Sequence, residues 1–390
     1  MFSAGDGTKQ NPYRVASVED FLLINDYPTA CFLQTQDIDF TGTEMAPFTI
    51  DFTGVYDGGG YELQNITIRG NSKVGEDVVN GPVTIHASTG TGIFVVATYA
   101  TFQNIRMVNT LVYPARSDDS ANQARTGVLC TAMRGCTVTN CHIEAEVTDI
   151  ATTSGDSAGV AAFANTFQSC VMKKCSAKLT VTNTGFVGGL VVWNNGEIYD
   201  SYCFVNVGTT MYLGTVIYSQ GSGAKVVNCY SVVNFENAKY PYLPCNNSGP
   251  NDGIENTFFD CNKLGGPAWD ETKYYYTGDL VQGTDGNLYK CIKMQSDKDY
   301  NYWEPDWQKP PEWWPPAMTK ARPVDGSDYA EYWEQVGPDN TEGAKTTADL
   351  QTLETFTGWD FTGVWTIEEG FDYPRLKTHD VCTRMGLVAI

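Results

Sequence analysis

The chain has 390 residues, 42% of them apolar, enough for a buried core and for two to three domains. Charged residues make up only 18%, and acids outnumber bases 46 to 25 for a formal net charge of -21, so the basic stripe of a nucleic-acid reader is excluded. No apolar run approaches the roughly 18 residues of a membrane-spanning helix, so no membrane insertion is expected.

Residues 1–90 read as an N-terminal cap with the first turns of the fold. The start, Met1 to Gly7, has neither a basic region nor an apolar h-region. No secretion signal is visible there: either one has been removed or the protein leaves the cell by another way, and the second is favoured. Ser17-Val18-Glu19-Asp20 has capping-box spacing ahead of Phe21-Leu22-Leu23-Ile24, which predicts a helix over 18–26. Strand patterns follow at Cys31–Phe40 and Phe52–Leu63, the second broken by the Gly58-Gly59-Gly60 turn. Asn65-Ile66 is expected to be the first corner of a ladder, and 70–90 a polar loop.

From Thr91 to about Cys261 a short pattern returns five times. Each return opens on a glycine and an apolar run, at Gly92, Gly127, Gly159, Gly189 and Gly214. A second arm follows with Asn104-Ile105, Asn140-Cys141, Lys174-Cys175, Asp200-Ser201 and Asn228-Cys229. The arms are rich in Val, Ile and Thr and alternate, with Cys136, Val138 and Asn140 on one face and Thr137, Thr139 and Cys141 on the other, so they are strands. A chain that lays down two or three strands and returns to the same place about 30 residues later builds a parallel β-solenoid. Propeller blades also tolerate uneven repeat lengths. The expectation is an all-β protein, a parallel β-helix over 91–265.

Two features of the ladder bear on chemistry. Cys136 and Cys141 recur as Cys170 and Cys175, with Cys229 at the equivalent corner, one strand spacing apart and within disulfide range. The favoured reading is a column of reduced thiols filling a corner as small hydrophobes. Zinc would want CxxC pairs or neighbouring histidines, and only His86, His142 and His379 exist, so no metal and no cofactor is expected. Catalysis on such a ladder would need acids converging from neighbouring strands. The expected equivalents of Glu144 and Glu146 are Lys178 and Thr180, so no catalytic residue and no enzyme is expected.

The phrase Val187-Gly188-Gly189-Leu190-Val191, followed by Asn195-Gly196-Glu197-Ile198-Tyr199-Asp200-Ser201-Tyr202-Cys203, resembles the GLUG motif, with Val192 in place of its fourth-position glycine. That family comprises bacterial surface and phage proteins with right-handed β-helix domains. The Gly5-Asp6-Gly7-Thr8, Asn11-Pro12-Tyr13 and Phe52-Thr53-Gly54 phrases are similar to the segment preceding such repeats. The phrases Phe356-Thr357-Gly358-Trp359 and Phe371-Asp372-Tyr373-Pro374-Arg375-Leu376 are similar to their end. The resemblance implies a fold and a surface or virion setting, with no active site.

Between 266 and 341 the texture changes, with six of the nine tryptophans and the Lys309-Pro310-Pro311 and Trp314-Pro315-Pro316 stretches. A strand, an Asp285-Gly286 turn and a second strand are the plain content. The pattern Tyr275, Gly278-Asp279-Leu280-Val281, Gly286-Asn287-Leu288-Tyr289-Lys290-Cys291 and Trp333 resembles small chitin-binding-type carbohydrate modules. An aromatic ring covers the C–H face of a sugar while polar groups take its hydroxyls, so Trp303, Trp307, Trp313, Trp314, Tyr275 and Trp333 are the candidate glycan-binding residues. Tyr289 and Trp333 are equally expected to pack in the module's own core. Residues 342–390 are then expected to complete the β-helix after this insertion. Together these point to a non-catalytic phage surface protein, of tail fibre or capsid, on the virion surface. It would present a glycan-binding module for host attachment, with a cell-surface glycan and other virion subunits as partners. A bacterial cell-surface adhesin and a structural decoration protein are the alternatives.

Overall fold

The computed structural model describes residues 2–70, 90–114, 125–148, 159–242, 253–264, 280–292, 329–339 and 341–379, with short pieces at 78–80, 83–85, 266, 268–270, 275 and 323–324. It is all-β in its main body. Among the described residues two large sheets of 12 and 14 strands run side by side, and all their strand pairs are parallel. The chain passes from one to the other repeatedly. Thr101–Gln103, Thr137–Thr139, Ala164–Lys173, Val191–Tyr199 and Lys225–Val227 belong to the first. Arg106–Tyr113, His142–Val147, Ser176–Gly188, Tyr202–Gly214 and Tyr230–Tyr242 belong to the second.

From Thr101 on, each passage from the first sheet to the second is made at one left-handed residue. Asn104, Asn140, Lys174, Asp200, Asn228 and Asn256 have φ between 46° and 54°, a region that asparagine and aspartate tolerate better than most side chains. Their amides also bond along the stack. Asn140 Nδ2 donates to Asn104 Oδ1 at 2.8 Å, Asn104 Nδ2 to Asp57 Oδ1 at 2.9 Å, and Asn228 Nδ2 to Asp200 Oδ1 at 3.3 Å. Asn65 is also left-handed, yet it is not the first corner. It sits inside the second sheet against Asn109, and the corner beneath Asn104 is the Gly58–Gly60 turn, where Gly60 N donates to the Asn104 carbonyl.

The residue after five of these six corners turns inward, and its small polar atom covers the backbone carbonyl two residues earlier. Cys141 Sγ reaches Thr139 O at 3.3 Å, Cys175 Sγ reaches Lys173 O at 3.3 Å, and Cys229 Sγ reaches Val227 O at 3.3 Å. Ser201 and Thr257 do the same with hydroxyls, at 2.7 and 3.0 Å. The ten described cysteines are thiols, and burial pushes that of Cys229 up to about 12. The Cys229 thiol is thus uncharged at neutral pH and acts as a small donor at a tight bend.

The opposite corners lie at Gly92, Gly127, Ala161, Gly188 and Gly214, which the strand register stacks on one another. Two of the glycines singled out by the repeat, Gly159 and Gly189, are therefore displaced from that column by two residues and by one. At Gly127, Gly188 and Gly214 a Cβ would run into the carbonyl oxygen of the residue three positions on, which is why glycine recurs there. Between the sheets lies one apolar core, Phe52, Phe94 and Phe102 at one end and Val205, Val233 and Phe259 at the other. Burial of each such side chain contributes about 1.5–3 kcal/mol.

At the N-terminus the predicted helix forms as an α-helix over Val18–Leu22 and a 3-10 turn over Leu23–Asp26, capped by Ser17 Oγ. The expected loop at 70–90 contains an antiparallel pair, Val78–Asn80 with Val83–Ile85. At the other end Phe258–Asp260 pairs in parallel with Ala344–Lys345, across a stretch of more than 80 residues. Within that stretch Leu280–Gln282, Leu288–Cys291 and Trp333–Gln335 form a separate antiparallel sheet.

After Lys345 the chain leaves the parallel sheets. Thr346 caps a short helix, Thr347–Leu350, through a capping box with Asp349. The segment 347–379, here called the strap, then folds back over the outer face of the 14-stranded sheet. Leu350, Phe356, Trp359, Trp365 and Leu376 bury against Tyr202, Phe204, Tyr230 and Val232, a second core separate from the first. Asp260, fully buried, ties the strap down by accepting from Thr347 Oγ1 at 2.7 Å and from the Tyr373 hydroxyl at 2.6 Å. No described helix is long and apolar enough to cross a membrane.

Candidate functional site

A groove of about 460 Å³ opens where the parallel sheet, the small antiparallel sheet and the strap meet. Its floor is the outer face of the 14-stranded sheet, with Phe204 and Asn206 on one strand and Val232 and Asn234 on the next. Asn206 and Asn234 are register partners and so stand side by side. Period-two alternation places them on the same face as Phe204 and Val232, while Val205 and Val233 point into the core. Asn262 and Lys263 follow Phe258–Asp260 at one end, and Gln282 and Gly286 come from the hairpin of the antiparallel sheet.

The strap supplies Thr347, Gln351, Phe371, Asp372 and Tyr373. Phe371 is 79% exposed, the largest exposure of any large apolar side chain described, and it stands at a turn held by hydrogen bonds to Glu368. Two charged side chains line the groove, Lys263 and Asp372. Asp372 Oδ1 accepts from the Tyr373 amide at 2.8 Å, and its other oxygen meets Arg375 at 3.1 Å. Burial first, and then the bond to Asp260, raise the Tyr373 phenol above its ordinary range, so it stays a neutral donor. The lining thus combines amides, one exposed aromatic ring, a lysine and hydroxyl-bearing neighbours.

A second cluster lies under the far end of the strap. His142 and Ser176 are register partners on adjacent strands, and His379 comes down on them from the strap's last turn. Ser176 Oγ is 2.8 Å from His142 Nδ1 and 2.9 Å from His379 Nδ1. A serine hydroxyl beside an imidazole is the pairing of nucleophile and general base. Here Ser176 is 0% exposed with the strap seated on it, so no substrate carbonyl reaches it in this conformation. Burial, followed by Arg106 and Lys178, lowers the His142 pKa to about 4. Burial, followed by His142 and Arg106, lowers that of His379 to about 3.

Of the residues expected to bind glycan, Tyr275 and Trp333 are described, and neither lines the groove. Trp333 is 1% exposed and packs with Val281, Tyr289 and Cys291, so it is a core side chain with no face to offer. Tyr275 leans on its ring edge-to-face at 5.3 Å, and its hydroxyl accepts from the Asp270 amide at 2.7 Å. Trp303, Trp307, Trp313 and Trp314 lie outside the described residues. Sequence reasoning missed Asn206, Asn234 and Phe371. Glu144 and Glu146 do pair with Lys178 and Thr180, and Lys178 forms an ion pair with Glu144 at 3.0 Å. Among the described residues no three His, Cys, Asp or Glu side chains gather as a metal site.

No protein-family model matches the chain, and no curated protein matches it. Two solved structures have a similar fold. One is the crystal structure of a putative immunoglobulin A1 protease from Bacteroides ovatus, with a TM-score of 0.48 and 16% identity over 74% of this chain and 94% of that one. The other is an IgA1 protease, with a TM-score of 0.43 and 12% identity over 70% of this chain and 22% of that one. Both bear protease names. The expected role as a non-catalytic phage attachment protein, with its expected absence of enzyme activity, is corrected by that finding and is not kept.

Proposed function

We propose that the chain binds a neutral oligosaccharide in the groove beneath Phe371. On this reading the two parallel sheets are faces of a right-handed β-helix of GLUG-like repeats, and the antiparallel sheet belongs to a chitin-binding-type module set into its last turn. The regular alternation between sheets supports the first, together with the right-handed preference of parallel crossovers. The carrying observation is the pairing of an aromatic side chain left 79% exposed with the adjacent Asn206 and Asn234 amides on the floor below it. A ring takes the apolar face of a pyranose, and amides donate to and accept from its hydroxyls. A net charge of -21 disfavours anionic polymers, which points to an uncharged sugar.

Titration of the full chain with neutral tetrasaccharides, followed by calorimetry, tests this. Phe371→Ala should weaken the best binder about tenfold, the loss of roughly 1.4 kcal/mol of ring contact. Asn234→Ala should weaken it similarly. Trp193→Ala, which removes an aromatic ring that does not line the groove, should leave it unchanged. Equal affinity of wild type and Phe371→Ala would end the proposal.

A further inference from the structure

The strap that walls the groove is also held at its far end by the two histidines, and we infer that His142, Ser176 and His379 form a proton-operated latch: acid releases the strap and with it the bound sugar. The inference takes its ligand from the glycan reading above, but the latch stands on its own geometry. Phe371 and Tyr373 precede His379 on one short segment, so the groove wall and the latch move together.

Ser176 Oγ lies within hydrogen-bond distance of both Nδ1 atoms. A hydroxyl has one proton, so it donates to one imidazole and accepts from the other, and the network closes with both rings neutral in opposite tautomers. One added proton preserves the hydrogen bonds but buries an imidazolium. Two would set cations with ring centres 5.9 Å apart.

Apart from the Asn140 backbone, which favours the charged form of His379, the groups facing the pair give such a charge no relief. From the sheet come Arg106 and Lys178, both cationic. The nearby carboxylates are engaged, Glu62 with Arg106 at 3.3 Å and Glu144 with Lys178 at 3.0 Å. From the strap, Asp372 is engaged with Arg375, and Lys377 donates to the Thr362 carbonyl. His379 Nε2 is buried and meets no side-chain acceptor among the described residues.

The sign follows from the depressed values. Docked, His142 and His379 titrate near 4 and 3, against 6.5 for a free histidine. Between those limits the released strap binds more protons than the docked one, so docking weakens as pH falls, about tenfold per unit for each proton taken up.

The test titrates the full chain with its best neutral tetrasaccharide at a series of pH values, with hydrogen exchange of 347–379 read in parallel. Affinity should hold within about twofold from pH 7.5 to 6 and fall at least about tenfold by pH 4.5, with strap exchange accelerating over the same range. The double variant His142→Gln, His379→Gln cannot take up these protons and should keep its affinity at pH 4.5. A strap still protected at pH 4.5 in the wild type overturns the latch, as does an equal acid loss in the double variant. If no sugar binds at pH 7.5, the glycan reading falls while strap exchange still decides the latch.

Discussion

Inside the two parallel sheets each buried side chain rests on its counterpart one repeat away, whereas the strap has no counterpart in the chain. Cys141 stacks over Cys175, Asn104 over Asn140, and Gly188 over Gly214, so any one position is specified many times over. The strap is specified once. Its docking rests on a handful of unlike contacts: Trp365 and Trp359 on the Tyr202–Tyr230 stack, the Tyr230 hydroxyl on the Pro374 carbonyl at 2.6 Å, Asp260, and the histidine cluster. Repetition builds a rigid body, and a groove that must admit a ligand is built where repetition stops.

The largest expected effect comes from breaking the repeat itself. Gly214→Val places a branched side chain against the Ile217 carbonyl at a corner stacked on Gly188. With backbone above and below, the corner has nowhere to move, and a loss of about 4 kcal/mol or more is expected, measured by urea unfolding. Next is the strap. Trp365→Ala removes a fully buried indole and should cost about 3–5 kcal/mol, but only of strap docking. Hydrogen exchange should then rise over 347–379 while the parallel sheets stay protected. Simultaneous loss of both would mean that the two regions unfold as one.

The smallest effect is expected at a cysteine corner. Cys175→Ser puts a hydroxyl where Ser201 and Thr257 already bridge the equivalent bend, and thermal unfolding should report a change of less than about 1 kcal/mol.

Much of the parallel body was legible in the chain, because a ladder of like on like prints its period into the sequence. Alternation in Thr137-Val138-Thr139 marked the strands, and the Asn-Ile, Asn-Cys and Asn-Cys arms marked true left-handed corners. The register that sets Glu144 beside Lys178 could be counted directly. Two glycines misaligned because Ala161 takes one corner place, and a nearby glycine offered itself as a substitute. The strap was hidden for a different reason. Where it lies, both faces of the sheet are buried, so Tyr202-Cys203-Phe204-Val205 and Tyr230-Ser231-Val232-Val233 lose the alternation that would show an outer face. That loss of period was the available signal of a covering element. Asn206 and Asn234, each two residues further along, mark where the cover ends and the groove begins. Phe371 reads as one more core aromatic until the fold leaves it outside.

The claim that the groove under Phe371 is a sugar site is tested most directly by placing 4-fluorophenylalanine at position 371 and titrating the full chain with neutral tetrasaccharides under fluorine NMR. A saturable shift of the single resonance, with a midpoint matching the calorimetric affinity, is the predicted result. A resonance that stays fixed while calorimetry reports binding would place the sugar elsewhere and contradict the account.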